Sequence, residues 1–116
     1  VSDILTANPN IDLIATSDQG LQGAVQAIEA AGGSLADYLM VGYGGSVWSQ
    51  QRVSEGVVYA NVLQVPATEG RLGMEAMVDA LRNGVNQGDV DPFADLPGGG
   101  VITKDNASEF TGEWAG

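Results

Sequence analysis

The sequence predicts an α/β domain: a parallel sheet with flanking helices. Short apolar runs of strand length alternate along the chain with stretches of helical periodicity. Residues 38–41 are a continuous apolar run, as in parallel strands that are buried on both faces. Polar or glycine-rich turns separate strands from helices, and this alternation favours right-handed crossovers between parallel strands. At 116 residues, 44% of them hydrophobic, the chain is about one domain long.

The first strand–helix unit is predicted between residues 11 and 33. Its apolar run at 11–15 has the length of a strand, and the polar turn at 17–20 contains two good helix N-cap residues. The apolar residues after the turn recur at helical spacing: Leu21, Ala24, Val25 and Ile28. The turn therefore lies at the carboxyl end of a strand and the amino end of a helix, where ligands bind in open α/β sheets.

The rest of the chain repeats this plan. The other predicted elements, in order, are a helix ending near Ala7, a strand at 38–41, a glycine-rich loop at 42–46, a short helix near 47–55, a strand at 57–65, a helix at about 68–82, a loop at 88–100, a strand at 101–103 and a helix at about 106–114. Trp114, at the end of the last helix, is expected to serve in packing.

The composition excludes several classes of function. Lys and Arg total 4 against 15 Asp and Glu, a net charge of −11, so a surface that binds nucleic acid or an anionic membrane is not expected. The chain has no Cys and no His, which removes disulfides, thiolate zinc sites and His-based triads. We predict neither a metal nor another cofactor.

No apolar run approaches the roughly 20 residues of a transmembrane helix. We identify no signal peptide, and because the chain starts at Val1 and not at Met, we expect it to be processed or cut from a longer protein.

Two loops could be interpreted as a nucleotide site and a calcium site, and for both we favour a loop that binds no ligand. Residues 42–47 lack the third glycine of a dinucleotide-binding fingerprint, and the chain has no phosphate-binding loop of the GxxxxGK[ST] kind. We interpret this segment as a mobile loop at the sheet edge. Asp89, Asp91 and Asp95 do not have the spacing of an EF-hand calcium loop, so a solvated acidic linker is favoured.

Five side chains near the predicted strand ends are candidates for contacting a ligand. Ser17, Asp18 and Gln64 could pair with ligand hydroxyl groups, although Ser17 or Asp18 could instead cap the helix that follows. Tyr43 and Trp48 flank the glycine-rich loop and could stack on the C–H faces of a sugar. The alternative for both aromatic residues is packing in the core.

Several segments, taken in order, resemble the carboxyl-terminal portion of type I periplasmic sugar-binding proteins, the ribose-binding-like substrate receptors of ABC importers. These segments are ANPNIDLIATSDQGLQGAVQAIEAAGG, LMVGYGGS, LQVP, EGRLGMEAMVDAL and VITKDNASEF. The resemblance implies an extracytoplasmic receptor, in the periplasm or at the cell surface, and no enzyme activity. Lac-repressor-type transcription regulators carry the same ligand-binding body, so a ligand-sensing domain is the first alternative. A small α/β enzyme that uses carboxylates such as Asp18 and Glu55 is the second.

The resemblance implies sugar contacts at three positions. Ser17 stands where the family usually has an asparagine that contacts the sugar, and Asp18 after it is retained. Gly44 stands where the family has an aspartate that binds sugar hydroxyls, and Gln64 matches a glutamine at the hinge. Because two of the three contacts depart from the family's residues, the resemblance implies a ligand other than ribose.

The resemblance also divides the chain. Residues 1–65 would form the carboxyl-terminal lobe of a two-lobed protein, residues 66–100 a helix and loop that dock on the amino-terminal lobe, and residues 101–116 a return to the carboxyl-terminal lobe. The chain would carry half the binding cleft, and its partners would be a small-molecule sugar and an ABC permease in the membrane. The helix between Pro66 and Gly84 would expose apolar side chains, namely Met74, Met77, Val78 and Leu81. We therefore expect it to self-associate with a neighbouring copy or to fold back onto its own lobe.

Overall fold

A computed structural model describes residues 1–86 and 88–116 and confirms the predicted α/β class. The helices are α1 (Ser2–Ala7), α2 (Asp18–Ala30), α3 (Val47–Glu55) and α4 (Pro66–Asn83), and the strands are β1 (Leu13–Ser17), β2 (Leu39–Gly44), β3 (Ala60–Leu63) and β4 (Val101–Thr103). Single 3₁₀ turns lie at Leu35–Asp37, Pro97–Gly99 and Ala107–Glu109. The order of elements therefore follows the predicted order closely.

The four strands form one sheet in the order β1-β2-β3-β4. β1, β2 and β3 are parallel, as predicted, whereas β4 runs antiparallel to β3. The prediction of a wholly parallel sheet is therefore wrong at this edge. The connection from β3 to β4 contains α4, but no residue of α4 is buried against the sheet, so the direction of β4 is not fixed by a packed strand–helix–strand unit.

The predicted last helix, at about 106–114, is wrong. Only Ala107–Glu109 forms a helical turn, and an irregular segment follows it to residue 116. This segment runs so close to the loop after β2 that a Cβ atom on Gly112 would lie 2.5 Å from the backbone nitrogen of Val47. A tertiary contact therefore overrides the local helical preference.

The core lies between one face of the sheet and helices α2 and α3. Its large, fully buried side chains come from both layers and include Leu21, Ile28, Met40, Val53, Leu63 and Ile102. Burying each such side chain contributes about 1.5–3 kcal/mol to folding. This layer fixes the strands and hence the positions of the loops at their carboxyl ends.

The other face of the sheet is uncovered. We call it the open sheet face and define it by four side chains, each at least 40% exposed: Leu13, Leu39, Val62 and Val101. Parallel strands are normally covered on both faces. In the described part of the chain, no second layer of helices covers these apolar side chains.

Helix α4 projects from the body of the domain. None of its residues, all of which the structure describes, is buried, and Met74 and Leu81 are 62% and 81% exposed. The molecule is 60 Å long with a radius of gyration of 17.8 Å, against about 13 Å for a compact domain of this size. The predicted folding back of this helix onto its own lobe is therefore wrong, because α4 leaves the sheet directly after β3. Packing against a neighbouring copy stays a prediction, as does the division of the chain at 65 and 100.

Candidate ligand-binding site

Three of the predicted site residues meet at the carboxyl ends of the parallel strands. Ser17 and Tyr43 are paired neighbours at the ends of β1 and β2, and both are exposed. Gln64 follows β3, and its Nε2 donates a hydrogen bond of 2.8 Å to the Tyr43 hydroxyl. We call Ser17, Tyr43 and Gln64 the polar rim. Together they offer hydroxyl and amide groups that can both donate to and accept from a ligand.

Asp18 lies beneath the polar rim and is fully buried. Its Oδ1 accepts a 2.7 Å hydrogen bond from Asn61 Nδ2, and its Oδ2 accepts a 2.8 Å bond from the Ser46 backbone N–H. The Asn61 Oδ1 in turn accepts from the Gly45 N–H at 2.9 Å. A buried charge needs such partners, and the N-termini of α2 and α3 add favourable dipoles.

This network makes Asp18 a positioning residue for the loop after β2. The sequence did not decide whether Ser17 or Asp18 caps α2. In the structure Ser17 caps this helix, because its Oγ accepts a hydrogen bond from the Gly20 N–H at 3.4 Å. Both Asp18 oxygens are already bonded within the protein, so ligand contact by Asp18 remains a prediction without geometric support. Asn61 was missed by the sequence analysis, since a polar residue inside a β-branched strand carries no local signal of its partner.

Gly44 contributes its backbone to the site. Its carbonyl oxygen accepts hydrogen bonds from the Gln64 N–H at 3.2 Å and from the Trp114 Nε1–H at 2.9 Å. A Cβ atom at this position would lie 2.8 Å from Asp18 Oδ2 and 2.9 Å from Trp114 Cζ2, and φ is +148°. The backbone conformation and the lack of space both require glycine here.

Trp48 is the second residue of α3. It is half-buried, packs against the hydrophobic core, and has the Arg52 guanidinium 5.6 Å from its ring centroid. These surroundings match the core-packing alternative for this residue. Its predicted contact with a ligand is untested.

The carboxyl-terminal segment, residues 111–116, crosses the same edge of the sheet. The first N–H groups of a helix have no partners within the helix. In α3 they donate to this segment, from Val47 to the Trp114 carbonyl at 2.9 Å and from Trp48 to the Ala115 carbonyl at 3.4 Å. The Gln50 side chain of α3 also bonds the backbone of Ala107, Phe110 and Gly112. The segment is thus built into the site.

Glu113 connects this segment to α4. Its carboxylate accepts a 2.9 Å hydrogen bond from the Thr68 N–H and a short one from the Thr68 hydroxyl. The N-cap residue of α4, Val65, supplies no side-chain cap of its own. Burial raises the pKa of Glu113, but the hydrogen bonds from Thr68 and Ala67 and the charge of Arg71 outweigh it, so the pKa lies below its ordinary value.

Within the described residues, no group of three or more His, Cys, Asp or Glu side chains is arranged to hold a metal ion. In the acidic loop, Asp91 Oδ1 accepts a 2.8 Å bond from the Phe93 N–H, and Asp89 and Asp95 are exposed.

No helix in the described part of the chain has both the length and the apolar character needed to span a membrane.

Residues 1–84 match the family model described as a periplasmic binding protein domain. The chain belongs to this family. It is 30% identical over 83 residues to the ribose import binding protein of Escherichia coli K12, and 36% identical over 84 residues to the D-allose-binding periplasmic protein of the same strain. These alignments cover 71% and 72% of the chain but only 27% of each relative. The chain thus spans about a quarter of the length of the curated relatives it matches.

Two solved structures share the fold over nearly the whole chain. The myo-inositol-binding protein of Caulobacter, bound to myo-inositol, superposes with a TM-score of 0.74 at 25% identity and covers 93% of this chain. A periplasmic solute-binding protein of an ABC transporter from Actinobacillus succinogenes 130z, with bound D-allose, has a TM-score of 0.73 at 27% identity and covers 94%. This chain covers 36% of each of those proteins.

Proposed function

We propose that this chain forms one side of a sugar-binding cleft in a receptor that delivers its ligand to an ABC permease. The observation that carries the proposal is the polar rim at the carboxyl ends of three parallel strands. Ligands of open α/β sheets bind at this edge. The family's relatives named for ribose and allose support a neutral sugar as the ligand class.

The polar rim has the chemistry that a sugar requires. Each sugar hydroxyl both donates and accepts hydrogen bonds, and so do the Ser17 and Tyr43 hydroxyl groups and the Gln64 amide. The Gln64–Tyr43 hydrogen bond of 2.8 Å holds the two side chains in a fixed relation before the ligand binds. Less conformational entropy is then lost on binding.

Gln64 also connects the site to the crossing between the sheet and α4. It lies two residues before Pro66, where the chain leaves the sheet and enters the projecting helix α4. We infer that this crossing is a hinge, and that a second lobe carried by α4 closes over the sugar. The described residues form one side of such a cleft, so on their own they should bind sugar weakly.

The partner and location belong to the same proposal. A receptor of this kind binds its sugar outside the cytoplasm, releases it to the permease, and performs no catalysis. The ligand-sensing domain of a lac-repressor-type regulator would use the same fold. The named relatives, which are import and periplasmic proteins, favour transport over gene regulation.

We further propose that the chain on its own self-associates. The exposed apolar stripe of α4 and the open sheet face are both surfaces that water solvates poorly. A second copy can cover the α4 stripe through a two-fold interface, because the same stripe is then used on both copies.

Isothermal titration calorimetry tests the sugar-binding proposal. The full-length protein that contains this sequence is titrated with D-allose, D-ribose and myo-inositol. We expect saturable binding of at least one of them, weakened about two- to tenfold by Gln64→Ala, since loss of a hydrogen bond costs about 0.5–1.5 kcal/mol. Gln26→Ala, at an exposed position on α2, is the matched control and should bind as the parent does. Binding that is unchanged by Gln64→Ala, or no binding of any of the three, contradicts the proposal.

A further inference from the structure

Trp114 lies at the sheet edge that carries the polar rim. Its Nε1–H donates to the Gly44 carbonyl at 2.9 Å, and the same oxygen accepts the Gln64 N–H at 3.2 Å. Its ring atom Cζ2 lies 2.9 Å from the point where a Cβ atom of Gly44 would stand. The indole thus borders both the loop after β2 and the residue that begins the crossing to α4.

The ring occupies the place that a side chain at Gly44 would otherwise take. Gly44 provides no side chain to contact a ligand, and the carboxyl-terminal segment brings an aromatic ring to that position instead. Trp114 is half-buried, and because its N–H is already bonded to Gly44, the ring offers a ligand only apolar surface. Such a surface offers packing area with little loss of rotamer freedom.

We propose that Trp114 is a ligand-contacting, specificity-determining residue of the sugar site; this rests on the proposed function above. An aromatic surface at this position selects a ring-shaped polyol that presents a patch of C–H groups, a pyranose or a cyclitol, over an open-chain polyol. The Asp18 carboxylate, whose Oδ2 lies 2.8 Å from the point where a Cβ atom of Gly44 would stand, disfavours an anionic sugar. The selected ligand class is therefore a neutral six-membered ring.

The chain's second tryptophan gives an internal control. Trp48 packs against the core beneath Arg52, so it should not respond to a ligand at the polar rim. The full-length protein is labelled with 5-fluorotryptophan, and its fluorine spectrum is recorded during titration with myo-inositol and D-allose. Spectra of Trp48→Phe and Trp114→Phe assign the two resonances. We expect the Trp114 resonance to shift saturably and the Trp48 resonance to stay in place.

Two substitutions separate ligand contact from a purely structural role. Trp114→Phe keeps an aromatic face but loses the hydrogen bond to Gly44, whereas Trp114→Leu loses both. Calorimetry should find Trp114→Phe within about threefold of the parent affinity and Trp114→Leu about tenfold weaker for the same sugar. D-glucitol, an open-chain polyol, should bind weakly to all three proteins. Thermal melting of each variant reports any loss of folding separately.

The outcomes are distinguishable. If calorimetry detects a sugar but the Trp114 resonance does not move, or the Phe and Leu variants lose affinity equally, the inference about Trp114 is overturned while the proposed function stands. If no sugar produces heat with the parent protein, both are overturned. A shift of the Trp114 resonance with the predicted order of affinities supports the inference.

Discussion

The buried Asn61 side chain holds the loop after β2 against Asp18, so its removal should loosen that loop. Asn61→Leu keeps a similar volume but leaves Asp18 Oδ1 and the Gly45 N–H without their partners. A buried polar group left unsatisfied costs about 1–3 kcal/mol, and more if it is charged. We therefore expect Asn61→Leu to lower the free energy of unfolding by about 3–5 kcal/mol.

Urea unfolding of the full-length protein measures this loss. With a urea dependence of about 1–3 kcal/mol per molar, the midpoint should fall by at least about 1 M. Hydrogen exchange of the Gly45 amide should accelerate in the same variant, since its acceptor is gone. Asn10→Leu, at an exposed position, is the matched control and should change neither quantity. An unchanged midpoint and unchanged Gly45 exchange in Asn61→Leu would show that the Asn61 side chain does not hold this loop.

Three further predictions concern other parts of the molecule. Because the pKa of Glu113 is lowered in the fold, its bond to Thr68 stabilises the start of α4 above the unfolded pKa and is lost as the pH falls through the folded pKa. Exchange of the Thr68 amide, corrected for intrinsic rates, should accelerate only after the pH has fallen below the ordinary pKa of a glutamate. Glu113→Gln should remove this pH dependence and Glu109→Gln should not; equal profiles for both variants would contradict the prediction. Gly44→Ala should destabilise the protein by about 1–3 kcal/mol, because the added methyl group crowds Asp18 and Trp114. Gly44→Asp should destabilise it more, because it places a second carboxylate beside Asp18. The prediction fails if thermal melting finds either variant as stable as the parent. In size-exclusion chromatography with light scattering, the 116-residue chain should elute as a dimer or a larger oligomer. The double variant Met77→Glu/Leu81→Glu should be monomeric, whereas the control Ala80→Glu should not. A monomeric parent chain would exclude self-association.

Local signals account for what the sequence predicted correctly. The segment from β1 through α2 combines an apolar strand, the Ser17 cap and an apolar helical stripe, all within 18 residues of one another, and it forms as predicted. The polar rim was predictable for the same reason. Ser17 and Tyr43 lie at the ends of β1 and β2, Gln64 directly follows β3, and the carboxyl ends of parallel strands meet at one edge.

Long-range partners account for what the sequence did not predict. Trp114 bonds a residue 70 positions earlier, Glu113 one that is 45 earlier, and Asn61 one that is 43 earlier. No periodicity or cap pattern near these residues encodes such contacts. The irregular course of residues 111–116 and the antiparallel β4 arise likewise from packing against distant segments.

A chemical-shift titration distinguishes ligand binding at the carboxyl edge of the sheet, as proposed above, from binding elsewhere on residues 1–116. Backbone amide chemical shifts of the isotopically labelled full-length protein are followed during titration with the sugar that calorimetry detects. We predict that the largest changes within residues 1–116 occur at the carboxyl edge, around Ser17, Tyr43 and Gln64. Changes concentrated at the opposite edge, around Leu13, Leu39 and Ala60, would contradict the account.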